Sequence, residues 1–295
     1  NNHGLPKVFH FALKNTCNLA CRMCSPGASS KLGEVVKKSD RLNRFYLNTY
    51  KNDFPIDIQT FKGSFVNAEQ ISISGGEPLI DTDCITLIEM IKEESVNLKF
   101  INFSTNMTKL NKKLLEFLSS FDKSVSIIFS ISLDGPKHIH EYIRYGCEWN
   151  DIIDNIKYIK LNHPNITFSI NSTLSAFNIG YVEETLKEFH NMETQLGITF
   201  NNLMVSPVLF PKHLHPSIIP AEVKQAYLEK LQRIDTSNYS IPNSTTLITT
   251  AVELLTKPNQ ETPEQFFEFV TAFDNVAGTD FRQTYPELVS VSKVI

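Results

Sequence analysis

The chain has 295 residues, 41% hydrophobic and 20% charged, with a formal net charge of −4 from 28 Lys+Arg against 32 Asp+Glu. That length buries a sizeable core and suits one large domain or a domain with a modest extension. The acidic balance argues against nucleic-acid binding through a basic surface, and no apolar run approaches the roughly 20 residues of a membrane-spanning helix. No basic-then-apolar segment opens the sequence, which starts on Asn1 rather than methionine and leaves residues upstream of it open. Five cysteines is an odd number, and three of them are crowded into eight positions. A secreted disulfide scaffold would space and pair them, so a reducing, cytoplasmic setting is expected.

In chain order, Lys7–Leu13 reads as a strand with Val8, Phe9 and Phe11 apolar. It runs into Cys17-Asn18-Leu19-Ala20-Cys21-Arg22-Met23-Cys24. Ser29–Tyr50 reads as a broken helix burying Leu32, Val35, Val36, Leu42 and Phe45. Residues 51–68 show little periodicity and read as an inserted loop. Strands follow at Gln70–Ser74, Leu98–Ser104, Val125–Leu133, Ile166–Leu174 and Ile198–Val205. Helices alternate with them at Asp83–Glu94, Asn111–Ser119, Trp149–Leu161 and Tyr181–Met192, the third burying Ile152, Ile153, Ile156 and Ile159. Six strand units joined by helical crossovers imply a parallel α/β sheet. They are too few for an eight-unit barrel, which leaves an open partial barrel or a doubly wound sheet. Beyond Pro207, three prolines mark an irregular connection. Helical patterns then cover Ala221–Ile234, Thr246–Leu255 and Pro263–Asn275, the last with a buried Phe266, Phe267, Phe269 and Phe273 series.

Parallel α/β folds bind ligands at the carboxyl ends of their strands. Here those ends carry the three cysteines, then Gly75-Gly76-Glu77-Pro78, Ser104-Thr105-Asn106, Ser132-Leu133-Asp134-Gly135, Asn171-Ser172-Thr173, and Asn201-Asn202. Three thiols at this spacing point to a metal. A zinc site wants a fourth ligand, for which only His10 on the preceding strand offers itself, while an iron–sulfur cubane on three thiolates leaves one iron open. Gly75-Gly76-Glu77-Pro78 reads plainly as a strand-ending turn. It reads functionally as a backbone that a ligand approaches closely, with Glu77 as an acceptor for an ammonium.

Cys17-x3-Cys21-x2-Cys24 after the first strand and Gly75-Gly76-Glu77-Pro78 after the second resemble the radical S-adenosylmethionine (SAM) superfamily over roughly residues 7–207. Glu141–Tyr145 with Trp149, and the ending Phe273-Asp274-Asn275 to Pro286-Glu287-Leu288, are similar to its SPASM/twitch-type branch. The resemblance implies a partial (β/α)6 barrel over residues 1–210 and a mainly helical extension over residues 211–295. Twitch and SPASM extensions hold auxiliary clusters on additional cysteines. None follows Cys147 here, so one cluster is expected.

By the family pattern, Cys17, Cys21 and Cys24 hold a [4Fe–4S] cluster whose open iron binds the methionyl part of SAM. Met23 packs near the adenine. Gly75, Gly76 and Glu77, with Pro78 closing the turn, take the ammonium. Arg144 takes the carboxylate through its planar fork. Ser132, Asp134, Ser104, Asn106 and Asn171 serve the ribose and carboxylate oxygens. The implied reaction is reductive cleavage of SAM to a 5′-deoxyadenosyl radical that abstracts hydrogen from a peptide, protein side chain or small metabolite. An external electron donor of flavodoxin or ferredoxin type is expected. The competing reading is a non-catalytic iron–sulfur scaffold or electron carrier. Cys147, His138 and His140 fall in what reads as the loop after the fourth strand. They are substrate-side candidates, against the plainer readings of a free thiol and a solvated loop. Cys84 reads as a small buried hydrophobe.

Overall fold

The computed structural model describes residues 4–47, 57–258 and 263–289. The first part of the expected insertion, residues 51–56, and the end of the expected broken helix, residues 48–50, lie outside the described residues.

Six strands form one parallel sheet: β1 (Val8–Ala12), β2 (Gln70–Ser74), β3 (Phe100–Thr105), β4 (Ser126–Ser132), β5 (Ile166–Leu174) and β6 (Phe200–Pro207). Each strand pairs with the next in chain order, and β1 does not pair with β6. A doubly wound sheet reverses its order partway, so the sequential order is that of an open barrel. Sheets covered on both faces read as continuous apolar runs. These strands alternate instead. Ile71, Ile73, Ile101, Phe103, Ile127, Phe129, Ile131, Phe168 and Ile170 are buried on one face. Register puts Ser72 beside Asn102, Ser104 beside Ser130, and Ser132 beside Asn171 on the other. The period of two therefore sorts an apolar face toward the helices and a hydroxyl- and amide-rich face toward the barrel interior.

The crossover helices are Thr82–Glu94, Lys112–Ser119, Trp149–Asn162 and Val182–Leu196. Asp81 and Asn111 cap the first two through their side chains, and Gly197 ends the last in the left-handed region at φ 57°. Ile152, Ile156 and Ile159 are buried as expected, whereas Ile153 is only half-buried. Two elements depart from expectation. Lys137–Ile143 is a helix, not a loop, starting directly after Gly135-Pro136. Ala20–Cys21 and Arg144–Tyr145 form a two-residue antiparallel ladder that joins the cysteine loop to the end of that helix. The expected helix from Ser29 is broken into Ser30–Val36, Asp40–Asn43 and a 3-10 turn at Arg44–Tyr46.

Beyond residue 210 the described chain is helical: Ala221–Leu231, Ser244–Thr256, Pro263–Ala277 and the short turns Phe281–Thr284 and Pro286–Val289. Phe266, Phe267, Phe269 and Phe273 are all buried. Phe269 sits edge-on to Phe45 at 5.4 Å, so the last long helix packs against the segment that follows the cysteines.

Candidate active site: a cysteine-lined cavity at the strand ends

A cavity of about 230 Å³ lies at the carboxyl ends of the strands. Its wall includes Cys17, Cys21 and Cys24 from the first loop, Gly75 and Gly76 after β2, Ser104 to Asn106 at the end of β3, Ser132, Arg144 and Thr173. Met23, Leu19, Ala28 and Ser29 complete it.

The Cys17 end of the loop is built on backbone contacts. Gly76 N donates to the Lys14 carbonyl at 2.7 Å and Glu77 N to the Thr16 carbonyl at 2.8 Å. A Cβ on Gly76 would lie 2.1 Å from the Thr16 oxygen, so only glycine allows this approach. Cys17 N donates to Ser30 Oγ, and Ser29 Oγ donates to the Leu19 carbonyl. Asn106 Nδ2 donates to Asn18 Oδ1 at 3.2 Å and lies 4.0 Å from Cys17 Sγ. Met107, next in the chain, is held at φ 58°, a conformation a non-glycine residue seldom adopts.

Glu77 departs from the expected arrangement. Its carboxylate is turned beneath the turn and is 1% exposed. It accepts from Thr105 Oγ1, Asn106 N and Leu79 N at 2.6–3.1 Å. Burial raises its pKa to about 6, against the pull of those donors. The side chain therefore locks β2 to β3, and the turn presents Gly75 and Gly76 to the cavity. Pro78 is buried behind it.

At the other end, Arg144 lines the cavity beside Cys21. Its Nε donates to Asp134 Oδ2 at 2.6 Å, and its Nη1 lies 3.8 Å from Cys21 Sγ. Asp134 is buried and also accepts from Thr173 N, so its carboxylate holds the arginine and does not line the cavity. Ser104, Asn106, Ser132 and Met23 do line it. Asn171 stands beside Ser132 in the sheet, with its Oδ1 buried and unpartnered among the described residues.

The three substrate-side candidates are not on the cavity wall. His138 is exposed on the helix Lys137–Ile143. His140 is fully buried and packs edge-on to Trp149 at 5.2 Å. Its Nδ1 accepts from Asp134 N, which puts the proton on Nε2, and burial holds its pKa well below the usual histidine range. Cys147 is buried, with its pKa pushed up to about 12 by burial. The helix they lie on or follow turns them away from the cavity, and a loop assignment cannot foresee that. The sequence places Thr173 at a strand end on the ligand rim without giving it a site role, and it gives Arg22 no role. Arg22 lies between two of the cysteines yet is wholly buried.

Burial raises the pKa of all three cavity cysteines, with Arg144 opposing it at Cys21. Desolvated thiols become thiolates when cations accompany them. Among the described residues no three His, Cys, Asp or Glu side chains converge closely enough to share one metal ion. His10, the proposed fourth ligand of a zinc site, is exposed on β1. With His10 turned to solvent and no fourth ligand beside the three thiols among the described residues, a cluster that leaves one iron open suits this donor set better than a closed zinc site. Arg144, Ser132 and the Gly75–Gly76 backbone line the same cavity as the three thiols.

Comparison with known proteins agrees with this donor set. The chain is 26% identical over 182 residues to a cysteine-type anaerobic sulfatase-maturating enzyme of Clostridium novyi (strain NT), covering 58% of this chain and 46% of that protein. Its fold matches that of native anSMEcpe with bound AdoMet at a TM-score of 0.54 and 19% identity, over 76% of this chain and 59% of that one. It also matches Streptococcus suis SuiB bound to the precursor peptide SuiA at a TM-score of 0.50 and 15% identity, over 80% of this chain and 48% of that one. The chain thus spans about half the length of these relatives. Among the described residues no helix is long and apolar enough to cross a membrane. The profile of the Radical SAM superfamily matches residues 13–191, more than half of the chain, and the protein therefore belongs to that superfamily of enzymes, which use a [4Fe–4S] cluster and SAM.

Proposed function

We propose that the protein cleaves SAM reductively at a single [4Fe–4S] cluster held by Cys17, Cys21 and Cys24, and uses the product to abstract hydrogen from a peptide, protein side chain or small metabolite. The observation that carries this reading is the convergence of the three cysteines, Gly75, Gly76, Ser132 and Arg144 on one cavity. When bound, the cluster and SAM supply one electron and a carbon–sulfur bond that breaks to methionine and a 5′-deoxyadenosyl radical.

The chain's own residues bind and orient. Arg144, fixed by Asp134, offers its remaining guanidinium nitrogens to the SAM carboxylate, with Ser132 beside it. The Gly75–Gly76 backbone takes the ammonium in place of the buried Glu77 side chain. Met23 supports the adenine, and Ser104, Asn106 and Asn171 serve the ribose. A peptide substrate draws support from SuiB, which was solved with a precursor peptide. The electron arrives from an external flavodoxin- or ferredoxin-like donor. No cysteine follows Cys147, so residues 211–295 carry no auxiliary cluster, and about four irons per chain are expected.

The test is anaerobic reconstitution followed by SAM and a strong reductant, with 5′-deoxyadenosine as the readout. Turnover is expected in the intact protein and none in Cys21→Ala. A reconstituted protein that holds a cluster yet never cleaves SAM would support the scaffold or electron-carrier reading instead.

A further inference from the structure

We infer that Arg22 is a positioning residue through which the C-terminal segment sets the geometry of the cysteine loop. The inference rests on the reading of Cys17, Cys21 and Cys24 as cluster ligands.

Among the described residues Arg22 is the largest fully buried side chain, at 0% exposure. Its guanidinium is sandwiched between two rings, 3.7 Å from the Tyr142 centroid and 4.3 Å from that of Phe273. Nη2 donates to Asp274 Oδ1 at 2.6 Å and to Thr279 Oγ1 at 2.7 Å, and Nη1 donates to the Tyr142 carbonyl. Asp274 is a hub: it also accepts from the Tyr142 hydroxyl at 3.0 Å and from Phe281 N at 2.7 Å. The backbone of Arg22 is held as well, its N donating to the Ile143 carbonyl at 2.8 Å.

The placement matters because Cys24 N donates to the Cys21 carbonyl at 3.0 Å and closes a turn whose two inner residues are Arg22 and Met23. Pulling Arg22 inward fixes the rotation of that turn, and with it the directions of Cys21 and Cys24. Stability alone does not account for the arrangement. A buried ion pair recovers little more than its desolvation cost, and well-packed apolar residues usually replace it without loss. What an apolar pair lacks is direction. The forked, ring-clamped guanidinium has one orientation, and its acceptor lies 252 residues away in the chain. The helix Pro263–Ala277 and the turn after it thereby reach the cysteine turn through Arg22 without lining the cavity themselves.

The experiment compares reconstituted wild type, Arg22→Lys, Asp274→Asn and the charge-free double variant Arg22→Met/Asp274→Leu, all matched for iron content. The readouts are the midpoint potential of the cluster, the change in its reduced-state EPR signal on adding SAM, and SAM affinity. The double variant orphans the Tyr142 hydroxyl and Phe281 N and is expected to unfold at a lower temperature. At a temperature where it is fully folded, it is expected to lose most of the SAM-induced EPR change and to bind SAM about tenfold more weakly. Arg22→Lys is expected to fall between the two. A double variant with wild-type potential, EPR response and affinity overturns the inference, since a purely structural latch moves only the unfolding temperature. If the double variant does not fold, Asp274→Asn is judged by the same three measurements. If wild type itself retains no iron, the cluster reading fails separately. The loop is then probed in the cluster-free protein by alkylation: Cys21 and Cys24 should react severalfold faster in the variants while Cys84 does not, and unchanged rates overturn the inference.

Discussion

The two ends of the cysteine loop are held by different chemistry. At Cys17 the clamp is neutral and made largely of backbone: Gly76 on Lys14, Glu77 N on Thr16, Ser30 on Cys17, and Asn106 on Asn18. At Cys21 to Cys24 it is charged, with Arg144 paired to Asp134 on one side and Arg22 paired to Asp274 on the other. The charged end itself contains a contrast. Arg22 is closed in by rings and spends its fork on protein acceptors, whereas Arg144 keeps part of its side chain, 13% of it, open to the cavity. Shape fixes the first cysteine and charge fixes the other two. Only Arg144 turns part of its guanidinium side chain toward the cavity; Arg22 Nε, unpartnered among the described residues, is buried.

The neutral end should break most severely. Gly76→Ala forces a methyl group onto a backbone oxygen that cannot rotate away. The expected loss is about 4 kcal/mol or more of folding stability, with little iron retained after reconstitution. Denaturant titration and an iron assay measure both. A variant that folds and loads normally would show that the turn does not fix Cys17.

Next comes Arg144→Lys, which keeps the charge but loses the fork. SAM affinity is expected to fall roughly tenfold to a hundredfold with the cluster still loaded, as the loss of one or two charge-assisted hydrogen bonds implies. Isothermal titration of the anaerobic protein reads it. Wild-type affinity would make Arg144 a second internal clamp like Arg22, and the contrast between the two would disappear.

The smallest effect belongs to Glu77, the one charged group under the neutral end. Burial raises its pKa from 4.5 to about 6, so between these values the folded protein binds more protons than the unfolded one. Its contribution to stability is therefore greatest below pH 4.5 and is lost as pH rises through about 6, by ~2 kcal/mol. Glu77→Gln should flatten that step in urea midpoints across pH 4.5–7.5. It should also lower stability overall, because an amide cannot accept from all three donors. An unchanged step would place its origin elsewhere.

Much of the fold was legible because the strands carry a clean period of two and the crossovers are regular. Gln70–Ser74 and Ile166–Leu174 match to the residue, and the boundaries of the other four strands shift by one or two positions. The Cys17 end was equally legible, since Cys17 and Gly75–Gly76 are marked by residue type and by their position after strands. The Cys21 end was not. A two-residue ladder between Ala20–Cys21 and Arg144–Tyr145 has no periodicity to detect. The helix Lys137–Ile143 is too short for an apolar stripe to announce it, so His138 and His140 read as loop residues. From sequence Glu77 reads as a ligand residue because carboxylates attract ammonium groups. The three backbone and hydroxyl donors that claim it come from the turn itself and from β3, and pattern alone does not reveal that convergence. Arg22 reads as one more polar loop residue until Asp274 is brought to it.

That last pair also orders events in the life of the chain. An arginine cannot be buried without its counter-ion, so until Asp274 has left the ribosome the segment around Arg22 has no finished seat. The six strands can assemble earlier, because each pairs with its predecessor as it emerges. The strand pairing of the sheet therefore needs nothing beyond residue 207, whereas the seat of Arg22 is finished only by the last long helix.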